Sequence, residues 1–159
     1  MLTDAWIADR RPVLVVEDCD DDFDTVLHAA ARAGVRNRLV RAIDADAARR
    51  LLACDVLACD AAGGFAFVLL DDSLPGVDGL ALRDHVRRDG LLAHLPVVVF
   101  TTSINPRDRD LFCAAGASAF HVKCVQYTDS LVTLVAIFER WLKRTAPPDC
   151  VALCAGRSA

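Results

Sequence analysis

Positive charge is in short supply. The 159 residues carry 18 Lys and Arg against 22 Asp and Glu, a formal net charge of −4. That balance offers no general attraction for nucleic acid or an anionic lipid surface, so neither is expected as a partner. Long apolar runs are also missing, and none approaches the ~20 residues needed to cross a bilayer. The opening Met1-Leu2-Thr3-Asp4-Ala5-Trp6 lacks the basic and then apolar regions of a signal peptide. Arg10-Arg11 precedes only Val13-Leu14-Val15-Val16, which reads as a strand, and a cytoplasmic location is expected. The seven cysteines, at positions 19, 54, 59, 113, 124, 150 and 154, follow no pattern. An odd count without a leader argues against a disulfide framework. Cys54-x4-Cys59 and Cys150-x3-Cys154 miss the tighter spacing and the His partners of common zinc sites. Several are expected as small core residues. Internal repeats and low-complexity segments are absent.

What is present is a core-forming composition, 54% hydrophobic, in a chain the length of one domain. Apolar runs alternate with amphipathic segments. Strands are expected at 12–16, 38–43, 65–70, 96–100 and 118–122. Helices are expected at 21–33, from Asp44 onward, at 78–89, from Asn105-Pro106 to Gly116, and from a Thr128 cap to about 143. Residues 1–11 form a polar lead and 144–159 a poorly specified tail, leaving 12–143 as the domain. Five β-α units with continuously apolar strands imply an α/β fold, a parallel five-stranded sheet with helices on both faces, doubly wound by right-handed crossovers. Ligands of such sheets bind at the carboxyl ends of the strands.

Polar residues gather at that edge. The first strand runs into Glu17-Asp18, the third into Asp71, the fourth into Thr101 and the fifth into Lys123. Clustered carboxylates repel one another, and burial worsens the repulsion, so a cation is expected among them. Oxygen ligands of this kind suit Mg2+, which keeps several waters and takes one or two carboxylates beside phosphate oxygens. Carboxylates also serve as phosphoryl nucleophiles, which makes Asp71 a candidate phosphate acceptor. Lys123 is placed to pair with Asp71 and then with a phosphate oxygen, and Thr101 to donate its hydroxyl to that phosphate. Asp20, Asp21, Asp22 and Asp24 read as a helix cap and a solvated face that suits the helix dipole. The four histidines share no spacing and read as structural or surface groups.

Four segments together carry a family resemblance: Val13-Leu14-Val15-Val16-Glu17-Asp18, Leu69 to Gly79, Pro96 to Ser103 and Ala115 to Lys123. Over 12–143 the chain resembles the receiver domain of two-component response regulators. The resemblance implies a flavodoxin-like (βα)5 fold and phosphorylation of Asp71 by a histidine kinase. It also implies Mg2+ held by Glu17, Asp18, Asp71 and the backbone carbonyl of Ser73, with Thr101 and Phe120 as switch residues. The start Glu17-Asp18-x-x-Asp21-Asp22 and the long link before strand three look most like the stand-alone regulators paired with bacterial phytochrome-type kinases. Phosphate passed onward to a histidine phosphotransfer protein, or a protein contact, is the implied output.

Three departures from the family pattern stand out. Cys124 replaces the usual proline after the lysine, Ser73 replaces a frequent asparagine, and Phe120 has no hydroxyl to bond when it turns inward. The competing readings are weaker. A phosphohydrolase with an Asp nucleophile usually has a second Asp two residues on, where this chain has Ser73. A flavin site needs a phosphate cradle after strand one, where this chain has acids. A pseudo-receiver working without phosphate conflicts with the complete acceptor set. In the last helix the apolar residues wrap more than the ~100° stripe that one sheet needs. That excess leads to the expectation of a homodimer through Leu134, Phe138 and Trp141.

Overall fold

The computed structural model describes residues 9–57, 64–71, 81, 84, 87, 88 and 93–143. Ser73 and the Pro75-Gly76 turn lie outside them, as do most of the lead and the whole tail. The expected helix at 78–89 is represented by residues 81, 84, 87 and 88, which are helical.

Five strands form one parallel sheet: β1 (Val13–Val16), β2 (Leu39–Ala42), β3 (Val68–Leu70), β4 (Val97–Thr101) and β5 (Ala119–Val122). Their order is β2-β1-β3-β4-β5, and every pairing is parallel. The expected flavodoxin-like architecture is therefore present. Alternation along each strand builds two cores. Val13, Val15, Phe67, Leu69, Val98 and Phe100 face α1 (Asp20–Arg32) and the last helix. Leu14, Val16, Val68, Leu70, Val97 and Val99 face the opposite way. There they meet Ala48 and Leu52 of α2 (Ala45–Leu57) and Phe112 of α3 (Pro106–Ala114). Central strands buried on both faces have no polar side, which is why they read as unbroken apolar runs.

Local signals set the helix ends. Asp44 accepts the Ala47 N–H at 2.6 Å. Asn105 accepts from Arg107 N–H, with Pro106 in the first turn. Gly116 takes φ 86°, a left-handed conformation that costs glycine little. The last helix, α4 (Tyr127–Leu142), starts one residue before the expected Thr128 cap, and its N-cap is Gln126. Residues 9–11 lie back on the domain: Asn37 donates to the carbonyls of Asp9 and Arg11 at 2.6 and 2.7 Å.

The expected dimer face is corrected by this packing. Leu134 and Phe138 are 0% exposed and Trp141 is 4% exposed, all within the chain's own core. Phe67 meets Phe138 edge to face at 6.1 Å and Trp141 at 6.2 Å. The helix buries a wide arc because it contacts both the sheet and α1. The cysteine reading also needs amendment, because Cys113 is disulfide-bonded while Cys19 and Cys124 are free thiols. Among the described residues no helix is long and apolar enough to cross a membrane.

Candidate functional site

Parallel strands bring their carboxyl ends to one edge, and the backbone ladder continues just past each end. Glu17 N–H bonds Ala42 O at 2.9 Å, Asp71 N–H bonds Val16 O at 3.0 Å, and Lys123 N–H bonds Thr101 O at 2.6 Å. These bonds hold four of the expected site residues at the rim on rigid elements rather than on free loops.

The Lys123 side chain is the hub. Its Nζ lies 2.9 Å from Asp71 Oδ2, 3.0 Å from Glu17 Oε2 and 2.6 Å from Asp22 Oδ2. Glu17 and Asp71 are only 3% and 5% exposed. An ammonium has three protons to give, and three carboxylates take them. Burial, followed by the contact with Asp71, pushes the Glu17 carboxyl up to about 7, and Lys123 opposes that rise. Burial alone would lower the Lys123 pKa. Its bonds to Asp22 and Asp71 and the charges of Asp71 and Glu17 outweigh that and hold it above its ordinary value. The second Glu17 oxygen, Oε1, accepts the Cys19 N–H at 3.0 Å, so this carboxylate is tied at both ends.

Of the residues expected at the site, Glu17, Asp71 and Lys123 are in direct contact. Thr101 is buried next to Lys123 along the chain's hydrogen-bond ladder, and its Oγ1 accepts the Ser103 N–H at 3.1 Å. Phe120 is half-buried against Phe112, with ring centroids 5.9 Å apart. Asp18 is exposed and stands outside the carboxylate cluster. The Ser73 carbonyl falls outside the described residues. The Lys123–Cys124 bond is trans. Cys124 N–H instead bonds Ser130 Oγ at 3.0 Å, and the same hydroxyl donates to the Cys124 carbonyl, which anchors this turn to α4.

Asp22, which from sequence reads as part of the solvated face of the first helix, makes the shortest contact of Lys123. Asp22 lies in the first turn of α1, which rises directly from the rim.

Oxygens from Glu17, Asp22 and Asp71 all lie within 4.8 Å of one another. An oxygen-only set of carboxylates fits a hard divalent cation. Three carboxylates against one ammonium leave the pocket net negative when all are ionised, which favours a further cation. A buried carboxylate paired with a lysine, among acids able to hold a metal, is an arrangement that can support phosphoryl chemistry.

No family model matches the chain. It is 31% identical over 133 residues to the probable methanogenesis regulatory protein FilR2 of Methanothrix harundinacea, covering 82% of this chain and 83% of that one. The crystal structure of the phosphorylated cyanobacterial phytochrome response regulator RcpA superposes with a TM-score of 0.77 at 26% identity, over 89% of this chain and 100% of that one. The bacteriophytochrome response regulator AtBRR is 32% identical with a TM-score of 0.63, over 86% of this chain and 99% of that one. The fold, the rim of acids around one lysine and these likenesses agree: the chain belongs to the receiver-domain family of response regulators, with phytochrome response regulators among its structural neighbours.

Proposed function

We propose that the chain is a phosphorylation-controlled signalling protein in which Asp71 accepts a phosphoryl group from a histidine kinase. The observation that carries this reading is the 2.9 Å contact between Lys123 Nζ and the buried Asp71, inside a cluster of carboxylates suited to a divalent cation. In the transfer, an Asp71 oxygen bonds to phosphorus as the phosphorus–nitrogen bond of the kinase phosphohistidine breaks. The imidazole nitrogen leaves with that electron pair and takes up a proton. Bound Mg2+ supplies charge neutralisation on the phosphoryl oxygens. Glu17, Asp22 and Asp71 are the side chains grouped to hold it, and Asp18 and the Ser73 carbonyl are the further ligands that the family pattern suggests.

Lys123 then exchanges an Asp71 oxygen for a phosphate oxygen. Thr101 releases the Ser103 N–H and turns its hydroxyl to the phosphate. Phe120 follows into the space vacated, changing the surface around α3, β5 and α4. This is a two-state element biased by a local change of charge. The likeness to phytochrome regulators favours a kinase of that class, with output by protein contact or by transfer to a histidine phosphotransfer protein. Turnover of an external substrate is not part of this role.

The test compares wild type with Asp71→Asn for labelling by a phosphorylated kinase or a small acyl phosphate in Mg2+. Labelling of wild type alone supports the acceptor. Equal labelling of the variant overturns it. Wild type that takes no label and whose NMR spectrum ignores beryllofluoride is a phosphate-independent module instead.

A further inference from the structure

Arg41 belongs to none of the roles assigned so far. It lies on β2, opposite Val15 in register and one residue from the strand's end. Its side chain reaches past that end to the turn between β1 and α1. Nε donates to Glu17 O at 2.8 Å, Nη2 to Asp18 O at 2.9 Å, and Nη1 to Asp20 Oδ1 at 2.6 Å. The guanidinium also lies over the Phe23 ring, 4.9 Å from its centroid. Each guanidinium nitrogen therefore has an oxygen partner, and one flat face has an aromatic partner.

The two carbonyls it holds flank a single α-carbon, that of Asp18. Peptide groups are planar, so holding both carbonyls sets the planes on either side of Asp18 and with them its φ, ψ and side-chain direction. The plane one step earlier, between Val16 and Glu17, is tied through Glu17 N–H to Ala42 O at 2.9 Å, and the plane that follows Asp18 is also tied through Cys19 N–H to Glu17 Oε1 at 3.0 Å. The turn carries Glu17 and Asp18 and leads into Asp20, Asp21, Asp22 and Asp24. Left to itself, such an acidic segment would spread apart by repulsion.

We propose that Arg41 is the positioning residue of the cation site: a guanidinium clamp that fixes the β1–α1 turn in one arrangement and so holds Glu17 in the carboxylate cluster that would take a divalent cation. It touches neither metal nor phosphate and acts through the turn. The inference rests on the metal reading above. Groups that orient metal ligands commonly contribute 10–100-fold to affinity.

The test uses the full chain as wild type, Arg41→Ala and Arg41→Lys. Calorimetric titration with Mg2+ gives the affinity, amide hydrogen exchange in EDTA reads residues 18–20, and urea unfolding reads stability. Arg41→Ala is expected to weaken Mg2+ binding by about tenfold or more. Exchange at residues 18–20 should quicken while the sheet amides stay protected. Arg41→Lys keeps the charge without the rigid fork, so it should recover little of the affinity. Should Arg41→Ala prove too unstable to titrate, the lysine variant carries the comparison. Mg2+ affinity within twofold of wild type in a folded variant would overturn the clamp and reduce Arg41 to a structural or charge contribution. Wild type that itself takes up no Mg2+ removes the metal reading first, and the clamp's role falls with it.

Discussion

The Lys123 ammonium sits closer to Asp22, at 2.6 Å, than to Asp71, at 2.9 Å. The ammonium paired with Asp71 is thus shared with an acid on the neighbouring helix. Asp22 is 44% exposed where Glu17 and Asp71 are buried, so the three partners are not equivalent. The half-exposed one can swing out at little cost, and the buried two cannot.

Asp22→Asn is therefore expected to change folding stability by less than about 1 kcal/mol, the range for half-exposed ion pairs. It removes one of the three grouped carboxylates, so Mg2+ affinity should fall severalfold while Asp71 still takes label from an acyl phosphate. Calorimetry with Mg2+ decides the point. Unchanged affinity would leave Asp22 as a partner of Lys123 only.

Lys123→Met makes the opposite demand. It leaves Glu17 and Asp71 buried side by side with no ammonium between them. Removing one member of a buried ionic group costs about 3–5 kcal/mol in general. Protonation of Glu17 relieves part of that, so a loss of roughly 2–3 kcal/mol in EDTA at neutral pH is expected. Mg2+ should restore much of it by replacing the lost charge. Urea unfolding with and without Mg2+ measures both quantities, and a variant as stable as wild type in EDTA would count against the buried network.

The sheet and most of the rim were legible in the sequence because burial on both faces leaves an unmistakable mark. Val97-Val98-Val99-Phe100 can be little else than a central strand, and where such a strand ends in a polar residue the edge is located. Asp44 and Asn105 were legible for an equally local reason, since a cap bonds within its own turn. Asp22 was not. An acid in a first helical turn suits the helix dipole whether or not it touches anything else, and only the position of Lys123, 101 residues away in sequence, separates the two cases. Arg41 was hidden in the same way, since its partners are two backbone carbonyls that leave no trace in side-chain chemistry. The apolar breadth of α4 was visible, but one sequence does not say which of two covering surfaces absorbs it.

The Glu17 carboxyl, raised from 4.5 to about 7 mainly by burial and then by Asp71, sets a pH dependence. Between those values the folded chain keeps a proton that the unfolded chain has released. Stability of the metal-free protein should therefore fall as pH rises through the window, by no more than about 3 kcal/mol in all. Below the window both states are protonated and the term vanishes. Glu17→Gln cannot release the proton, so the difference between wild type and variant isolates the effect from other titrating groups. Urea midpoints at pH 5 and pH 7.5 in EDTA provide the comparison, and parallel changes in the two proteins would remove Glu17 as the cause.

Phe138 has no exposed surface and meets Phe67 edge to face. Phe138→Ala should therefore cost about 3–5 kcal/mol, the usual range for deleting a buried aromatic side chain. A domain of this size has some 5–15 kcal/mol in total, so the variant should remain folded under mild conditions. If Phe138 joined two copies, the loss would appear as weaker association. The urea midpoint of wild type would then rise with protein concentration, and the variant would lose that rise. Because Phe138 belongs to the chain's own core, the midpoint should drop by the same amount at 1 µM and at 100 µM, and the elution volume of the folded variant should match that of wild type. A concentration-dependent difference between the two would return the residue to an interface. Equal shifts would confirm that Phe138 serves the chain's own core.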